Sequence, residues 1–256
     1  MDSLPLWVIV LTTLALLSLA LEAGYRAGHW RHERTPDERE QPVGAMVAAI
    51  LGLLALVLGF TFNFAASRFE ARRRAVLEEA NAIGTTYLRT SFLPREEQSS
   101  SQKLLQEYVT IRLQAVKDRK LEAAIVRSGE IQGLLWKEAT SAGNASPQAE
   151  TVGLYIAALN GLIDQHEVRL QVALRSRIPA ELWFGLNSLA VMSFAAVGYM
   201  CGLSTTRRSP AMLVLTISFT IVLLMIADLD RGQEGLLRVS QDAMVNVQTM
   251  IAAGQP

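Results

Sequence analysis

Apolar residues along this chain collect in four long runs, and the charged residues lie almost wholly between them. The runs cover residues 4–21, 43–67, 182–206 and 209–227. A bilayer core of about 30 Å needs about 20 helical residues to cross it, and each run meets or approaches that length. A backbone in hydrocarbon must satisfy its own hydrogen bonds, so the runs are predicted as helices. Between the second and third runs the period changes to that of water-facing amphipathic helices. The pattern therefore predicts an all-α protein with four transmembrane helices and a helical extramembrane domain between the second and third. The expected divisions are 1–67 for the first two spans, 68–180 for the helical domain, 181–230 for the last two spans and 231–256 for a C-terminal tail.

Good helix formers fill residues 69–88, and no proline occurs between Pro42 and Pro94. The second span should run on unbroken to about Arg89, a helix of roughly 70 Å at 1.5 Å per residue. Its outer part carries an apolar stripe at Phe69, Val76, Ala80, Ile83 and Tyr87, with Arg74 and Glu78 placed to pair on the wet face. Residues 92–101 read as a loop, on Pro94 and a serine cluster. Two amphipathic helices follow, one on Leu104, Tyr108, Ile111 and Ala115, the other on Leu121, Ile125, Ile131 and Leu135. Residues 141–147 read as a second loop. Next comes a heptad seam of Val152, Ile156, Leu159, Ile163, His166, Leu170 and Ala173. His166 on that seam reads as a residue that sets helix register. Pro210 is well placed to start the last span.

Lysine plus arginine equals aspartate plus glutamate, at 24 each, so no net charge points to nucleic acid. The one cysteine, Cys201, lies inside the third run and excludes an intrachain disulfide. The first run lacks the leading positive charge of a signal peptide and reads as a retained span. Basic residues near the membrane number nine on the side of the large domain and six on the side of the short loops. That asymmetry predicts a cytoplasmic large domain. No GxxxxGK, HExxH or GxSxG pattern occurs, no cofactor site is indicated, and no enzyme is expected.

Residues 59–89 read GFTFNFAASRFEARRRAVLEEANAIGTTYLR. This segment resembles the signature of the bestrophin-like domain family of bacterial membrane proteins. The resemblance continues through ALNGLIDQHEVRLQVALRSR at 158–177, IPAELW at 178–183, DLDR at 228–231 and GLLRVSQ at 235–241. It covers nearly the whole chain outside residues 96–148. It implies a distant relation to bestrophins, pentameric channels mostly for anions, whose second membrane helix lines the pore. On that resemblance the chain would be a homo-oligomer, pentameric, conducting inorganic ions. The proline that bestrophins carry in the pore-lining part of that helix is absent here. The alternative is a membrane-anchored helical sensor or interaction scaffold that conducts nothing.

Candidate residues follow from position. Gly44, Ala48, Gly52, Ala55 and Gly59 form a small-residue stripe, and Gly198 and Gly202 form a GxxxG pair. Both suit helix packing within one subunit, and the first equally suits a ring of second helices. Phe60 and Phe64 would form an apolar constriction around an axis, with Asn63 offering its amide to an ion. Arg72, Arg73 and Arg74 form either a cationic mouth or a membrane-side anchor. Glu78 and Glu79 read as solvated ion-pair partners on a polar face, or as acids opposing the arginines in a vestibule. Asp228, Asp230 and Glu234 cluster where the fourth span ends. They are weak metal candidates, because DLDRGQEG places glycine at the fifth position of a calcium loop and not at the sixth. Pairing with Arg231 or the stalk arginines is the other reading.

Overall fold

The structure is a computed structural model that describes residues 5–34, 40–118, 121–145, 150–174, 177–204, 210–231 and 235–254. The described elements are α1 (Leu6–Arg34), α2 (Glu40–Arg89), a 3-10 turn (Thr90–Phe92), α3 (Arg95–Asp118), α4 (Leu121–Ala145), α5 (Glu150–Leu174), α6 (Ala180–Leu203), α7 (Pro210–Arg231) and α8 (Asp242–Ala252). No strand occurs among the described residues. Four helices, α1, α2, α6 and α7, are long and apolar enough to cross a membrane. The chain divides into two compact units, one of residues 1–69 with 177–238, the other of residues 70–176 with 239–256.

In the first unit, α1 packs on α6 and α7. The core joins Leu17 and Leu21 of α1, Leu54, Leu58 and Ala65 of α2, Leu186, Ala190 and Phe194 of α6, and Leu223, Ile226 and Leu229 of α7. Phe194 meets Phe219 edge to face, with centroids 5.4 Å apart, the geometry the ring quadrupoles favour. Helices α6 and α7 are the inner pair. Of the most apolar part of each helix, 44% and 39% is buried, against 11% for α1 and 17% for α2. The α1–α6 contact is backbone against backbone. A methyl group at Gly198 or Gly202 would collide with the carbonyl oxygens of Leu21 or Tyr25, and one at Gly24 or Gly28 with those of Ala195 or Tyr199. The GxxxG pair of α6 thus has a partner of equal spacing in α1, and small residues let the two backbones approach where lipid offers no hydrophobic drive.

Helix α1 runs well past the end of its apolar stretch, to Arg34, through much of what the sequence suggests is a short polar loop from Arg26 to Pro42. Hydropathy ends at Glu22, but helix formation does not need apolar residues. Glu22 pairs with Arg26 at 2.8 Å and Glu33 with His29 at 3.4 Å, each four residues apart. Helix α7 begins on Pro210, as the sequence suggests.

The second unit comprises the outer part of α2, then α3, α4, α5 and α8. Helix α2 reaches Arg89 without interruption, as expected. Its stripe is buried at Val76, Ala80 and Ile83. Helix α3 begins six residues before the expected end of the loop at 92–101. Glu96 and Glu97 occupy its first turn, where the helix dipole favours acids. The serines lie inside the helix with partners: Ser100 donates to Glu138 at 2.7 Å, and Ser101 accepts from Tyr155 at 3.2 Å. Helix α4 likewise continues through Ser141 to Ala145, with Ser141 donating to Glu97 at 3.0 Å. On α5 the fully buried seam is Val152, Tyr155, Leu159, Leu162, His166 and Arg169. It shares Val152, Leu159 and His166 with the expected seam and replaces Ile156, Ile163 and Leu170, which are half-buried. Helix α8 lies in what the sequence suggests is a featureless tail. It packs on α3 through Gln248 and Thr110, and Ile251 accepts from the Tyr87 hydroxyl at 3.4 Å.

The close α1–α6 contact predicts that Gly198→Ile destabilises the protein by about 2 kcal/mol or more, because the added volume meets backbone. Gly185→Ala, on the same helix with nothing within 4 Å, should leave stability unchanged or slightly raised. Thermal unfolding of the two variants in detergent is the check.

Candidate functional site

Two sets of residues stand out, one in each unit. In the first unit α2 buries only a narrow stripe, Val47, Leu54, Leu58 and Ala65. At 3.6 residues per turn the opposite face carries Gly52, Leu56, Gly59 and Asn63 at spacings of four, three and four. All four are exposed. Among the described residues, nothing beyond the adjoining backbone of α2 lies within 4 Å of a methyl built on Gly52 or Gly59, so these glycines are packed against no neighbouring helix. Gly44 alone among the α2 span glycines meets a neighbour, the Met200 sulfur at 3.6 Å. Phe60 flanks the exposed stripe and is 68% exposed. Phe64 lies further around the helix, where the Arg68 guanidinium sits over its ring at 4.1 Å. An open apolar groove of about 350 Å³ runs beside this face, lined by Ala55, Leu58, Gly59, Phe62, Ser218, Phe219 and Val222.

The three consecutive arginines separate, because successive helical residues point about 100° apart. Arg72 is buried, whereas Arg73 and Arg74 are exposed. Both exposed arginines pair with Glu70, at 3.8 and 3.6 Å, so Arg74 turns toward Glu70 and not toward Glu78.

The two neighbouring acids also part company. Glu78 is exposed on the wet face. Glu79 is not: it is completely buried in the second unit, against the expectation of a solvated ion pair. Its place on α2 is one turn from Val76 and one from Ile83, on the apolar stripe itself. Its Oε1 accepts the Tyr108 hydroxyl at 2.7 Å. The guanidinium of Arg112 lies 3.3 Å away, and Arg169 donates to Oε2. Arg169 also donates to Gln241 at 3.1 Å. A carboxylate only accepts, so Tyr108 spends its proton on Glu79, and its oxygen must then accept from His166 Nδ1–H at 2.8 Å. That fixes the imidazole tautomer and gives the polar position in the α5 seam its partner. The segments 59–89 and 158–177 thus meet through Glu79, His166 and Arg169.

Glu79 lies about 18 Å along the helix from the end of the apolar run at Ser67, outside the membrane-spanning part. Burial by itself would raise its pKa. The His166 ring and the charges of Arg169 and Arg112 outweigh that and hold it at about 2. Burial pushes the Tyr108 hydroxyl well above its ordinary value, helped by Glu79, and lowers that of Arg169. Glu79 therefore stays ionised at neutral pH and closed to solvent. The cluster is a lock between α2, α3 and α5, and nothing in it is placed to act on a substrate.

Asp228 and Asp230 are engaged by backbone. Asp228 is buried and accepts the amides of Leu236 and Leu237 at 2.7 and 3.0 Å. Asp230 accepts the amide of Ile178 at 2.9 Å, fixing the entry to α6. Glu234 lies outside the described residues. Among the described residues no three His, Cys, Asp or Glu side chains gather as metal ligands.

A family model described as the Bestrophin-like domain matches residues 9–244. No curated protein matches the chain. Among solved structures, a variant of a bacterial Bestrophin homologue from Klebsiella pneumoniae is similar at a TM-score of 0.70, with 16% identity, over 97% of this chain and 98% of that one. Another structure of such a homologue from the same organism is similar at a TM-score of 0.66, with 18% identity and the same coverage. A crystal structure described only as a membrane protein is similar at 0.70, with 15% identity over 97% of both chains. At these identities the likeness establishes the fold.

The cluster sets a pH dependence with a defined sign. A carboxylate whose folded pKa lies below its unfolded value adds stability above the unfolded value, near 4.5, and loses it as pH falls toward 2. The thermal midpoint should be flat above about pH 5 and decline between about 4.5 and 2, a loss on the order of 3 kcal/mol. Glu79→Gln should be less stable at pH 7 and should lack this acid-dependent decline. Glu79→Ala should cost about 3–5 kcal/mol, because it strands two buried guanidiniums. Fluorescence-detected melts across pH measure all three.

Proposed function

The chain belongs to the Bestrophin-like family, and from that premise we propose that it is an oligomeric ion channel whose pore is lined by α2. The observation that carries this reading is the uncovered stripe of Gly52, Leu56, Gly59 and Asn63. Among the described residues no neighbouring helix comes within 4 Å of a methyl built on its glycines, and its asparagine is exposed inside an apolar run. A polar side chain turned to hydrocarbon leaves its hydrogen bonds unmade, and polar residues within spans face a bundle interior or a water-filled path. Several copies of α2 around an axis would turn this stripe, with Asn63, toward a water-filled path. Phe60, beside that stripe, would narrow the path to an apolar constriction that closes by dewetting, with Phe64 held against Arg68 next to it.

Anion preference rests on Arg73 and Arg74, which remain at the surface while Arg72 is buried and Glu79 is neutralised by its partners. Removing Glu79 from the exposed charges leaves Glu70 and Glu78 as the acids that oppose those arginines on α2. A pentamer follows the resemblance to bestrophins. The lysine and arginine asymmetry supports a cytoplasmic second unit, and the likeness to bacterial homologues supports placement in a bacterial inner membrane. The other reading, a sensor or scaffold without conduction, draws on the long unbroken α2, which would transmit rotation.

In planar bilayers the purified protein should give unitary currents. Phe60→Ala should raise conductance or open probability several-fold. Arg73→Glu with Arg74→Glu should shift the reversal potential in a salt gradient toward cations. Absence of any current from a correctly folded oligomer would favour the scaffold. Currents unchanged by Phe60→Ala would remove the constriction.

A further inference from the structure

The residues just after α7 form a feature that conduction does not use. The carboxylate of Asp228, one turn before the end of the helix, receives the backbone amides of Leu236 and Leu237. A methyl at Gly235 would overlap that carboxylate, so any other residue there would have to displace the Asp228 side chain. Residues 235–237 therefore lie at the level of the last turn of α7. At 22 residues α7 is about 33 Å long, so that level is the edge of the roughly 30 Å hydrocarbon layer. Presented there are Leu236, 82% exposed, and Leu237, 44% exposed, followed by the exposed Arg238.

An exposed leucine by itself is ordinary. Two in succession, held by a buried carboxylate at the end of a membrane span, are a built surface. Entering lipid normally strands backbone amides, but those of Leu236 and Leu237 are already satisfied by Asp228. We propose that residues 235–238 are an interfacial lipid anchor. Leu236 and Leu237 enter the headgroup–acyl boundary of the leaflet at the α7 exit, and Arg238 meets the lipid phosphates. An apolar pair beside a cation suits that boundary, which takes up apolar side chains and attracts basic ones.

The test uses the full chain with Cys201→Ser, which leaves no other thiol. A nitroxide is placed at Leu236→Cys, at Leu237→Cys and, as a reference in water, at Ser240→Cys. The protein is reconstituted in vesicles of phosphatidylethanolamine and phosphatidylglycerol, and collisions with oxygen and with a neutral nickel chelate are measured. At 236 and 237 oxygen should dominate several-fold, and at 240 the chelate should. Asp228→Ala should shift 236 toward the chelate by releasing the turn. Chelate-dominated collisions at both 236 and 237 would overturn the anchor, as would labels immobilised and shielded from both reagents, the signature of a second protein copy covering the site.

Discussion

A helix that crosses lipid cannot leave its backbone hydrogen bonds unmade, and α2 meets that constraint by staying helical from Glu40 to Arg89. Everything distinctive in the chain depends on it. The same helix carries the uncovered stripe of Gly52, Leu56, Gly59 and Asn63 and, more than three turns further, the buried Glu79. A proline or glycine kink between them would break the regular 100° step that assigns each residue its face. None is present: the sequence from Phe60 to Ile83 contains neither residue type.

The second unit sets a cluster of charges within a largely apolar core. One carboxylate is enclosed by two guanidiniums, a tyrosine and a histidine, contributed by α2, α3 and α5. A buried ionic group gives little net stability compared with a good apolar core, but it discriminates strongly against wrong pairings, because each group left alone is costly. A shift of α3 or α5 by one turn would be tolerated far better if Tyr108, Arg112, His166 and Arg169 were leucines. In this reading the cluster fixes register between helices, the role the sequence pattern suggests for His166.

Much of this was legible in the chain and some was not, for identifiable reasons. The four spans, the unbroken α2, the helix start at Pro210 and the packing role of Gly198 and Gly202 follow from apolar length, helix propensity and small-residue spacing. Glu79 did not, because a charged residue is read by default as a wet position. The signal was its spacing from Val76 and Ile83, which puts it on the stripe that packs. The partner glycines of α1 were hidden past the end of the apolar run, Gly28 in a polar stretch that reads as loop and Gly24 just before it. Ion pairs within α1, such as Glu22 with Arg26, keep that stretch helical without apolar residues. Helix α8 is short, and its burial at Met244 and Ile251 spans only two turns, too little for a period to declare itself. The fate of Asp228 rests on the amides of Leu236 and Leu237, a contact that no residue pattern announces. The carboxylates at the end of the fourth span look like ligands in one dimension and act as receivers of amides in three.

The central claim is that the stripe opposite Val47, Leu54, Leu58 and Ala65 faces water between subunits. Single cysteines at Gly52, Leu56, Gly59 and Asn63, introduced with Cys201→Ser and probed in intact membranes with a charged, membrane-impermeant thiol reagent, address it directly. The account predicts modification at these positions and none at Leu54 and Leu58. Labelling of all four only by a lipid-soluble reagent would place that face in the bilayer and contradict a conducting path along α2.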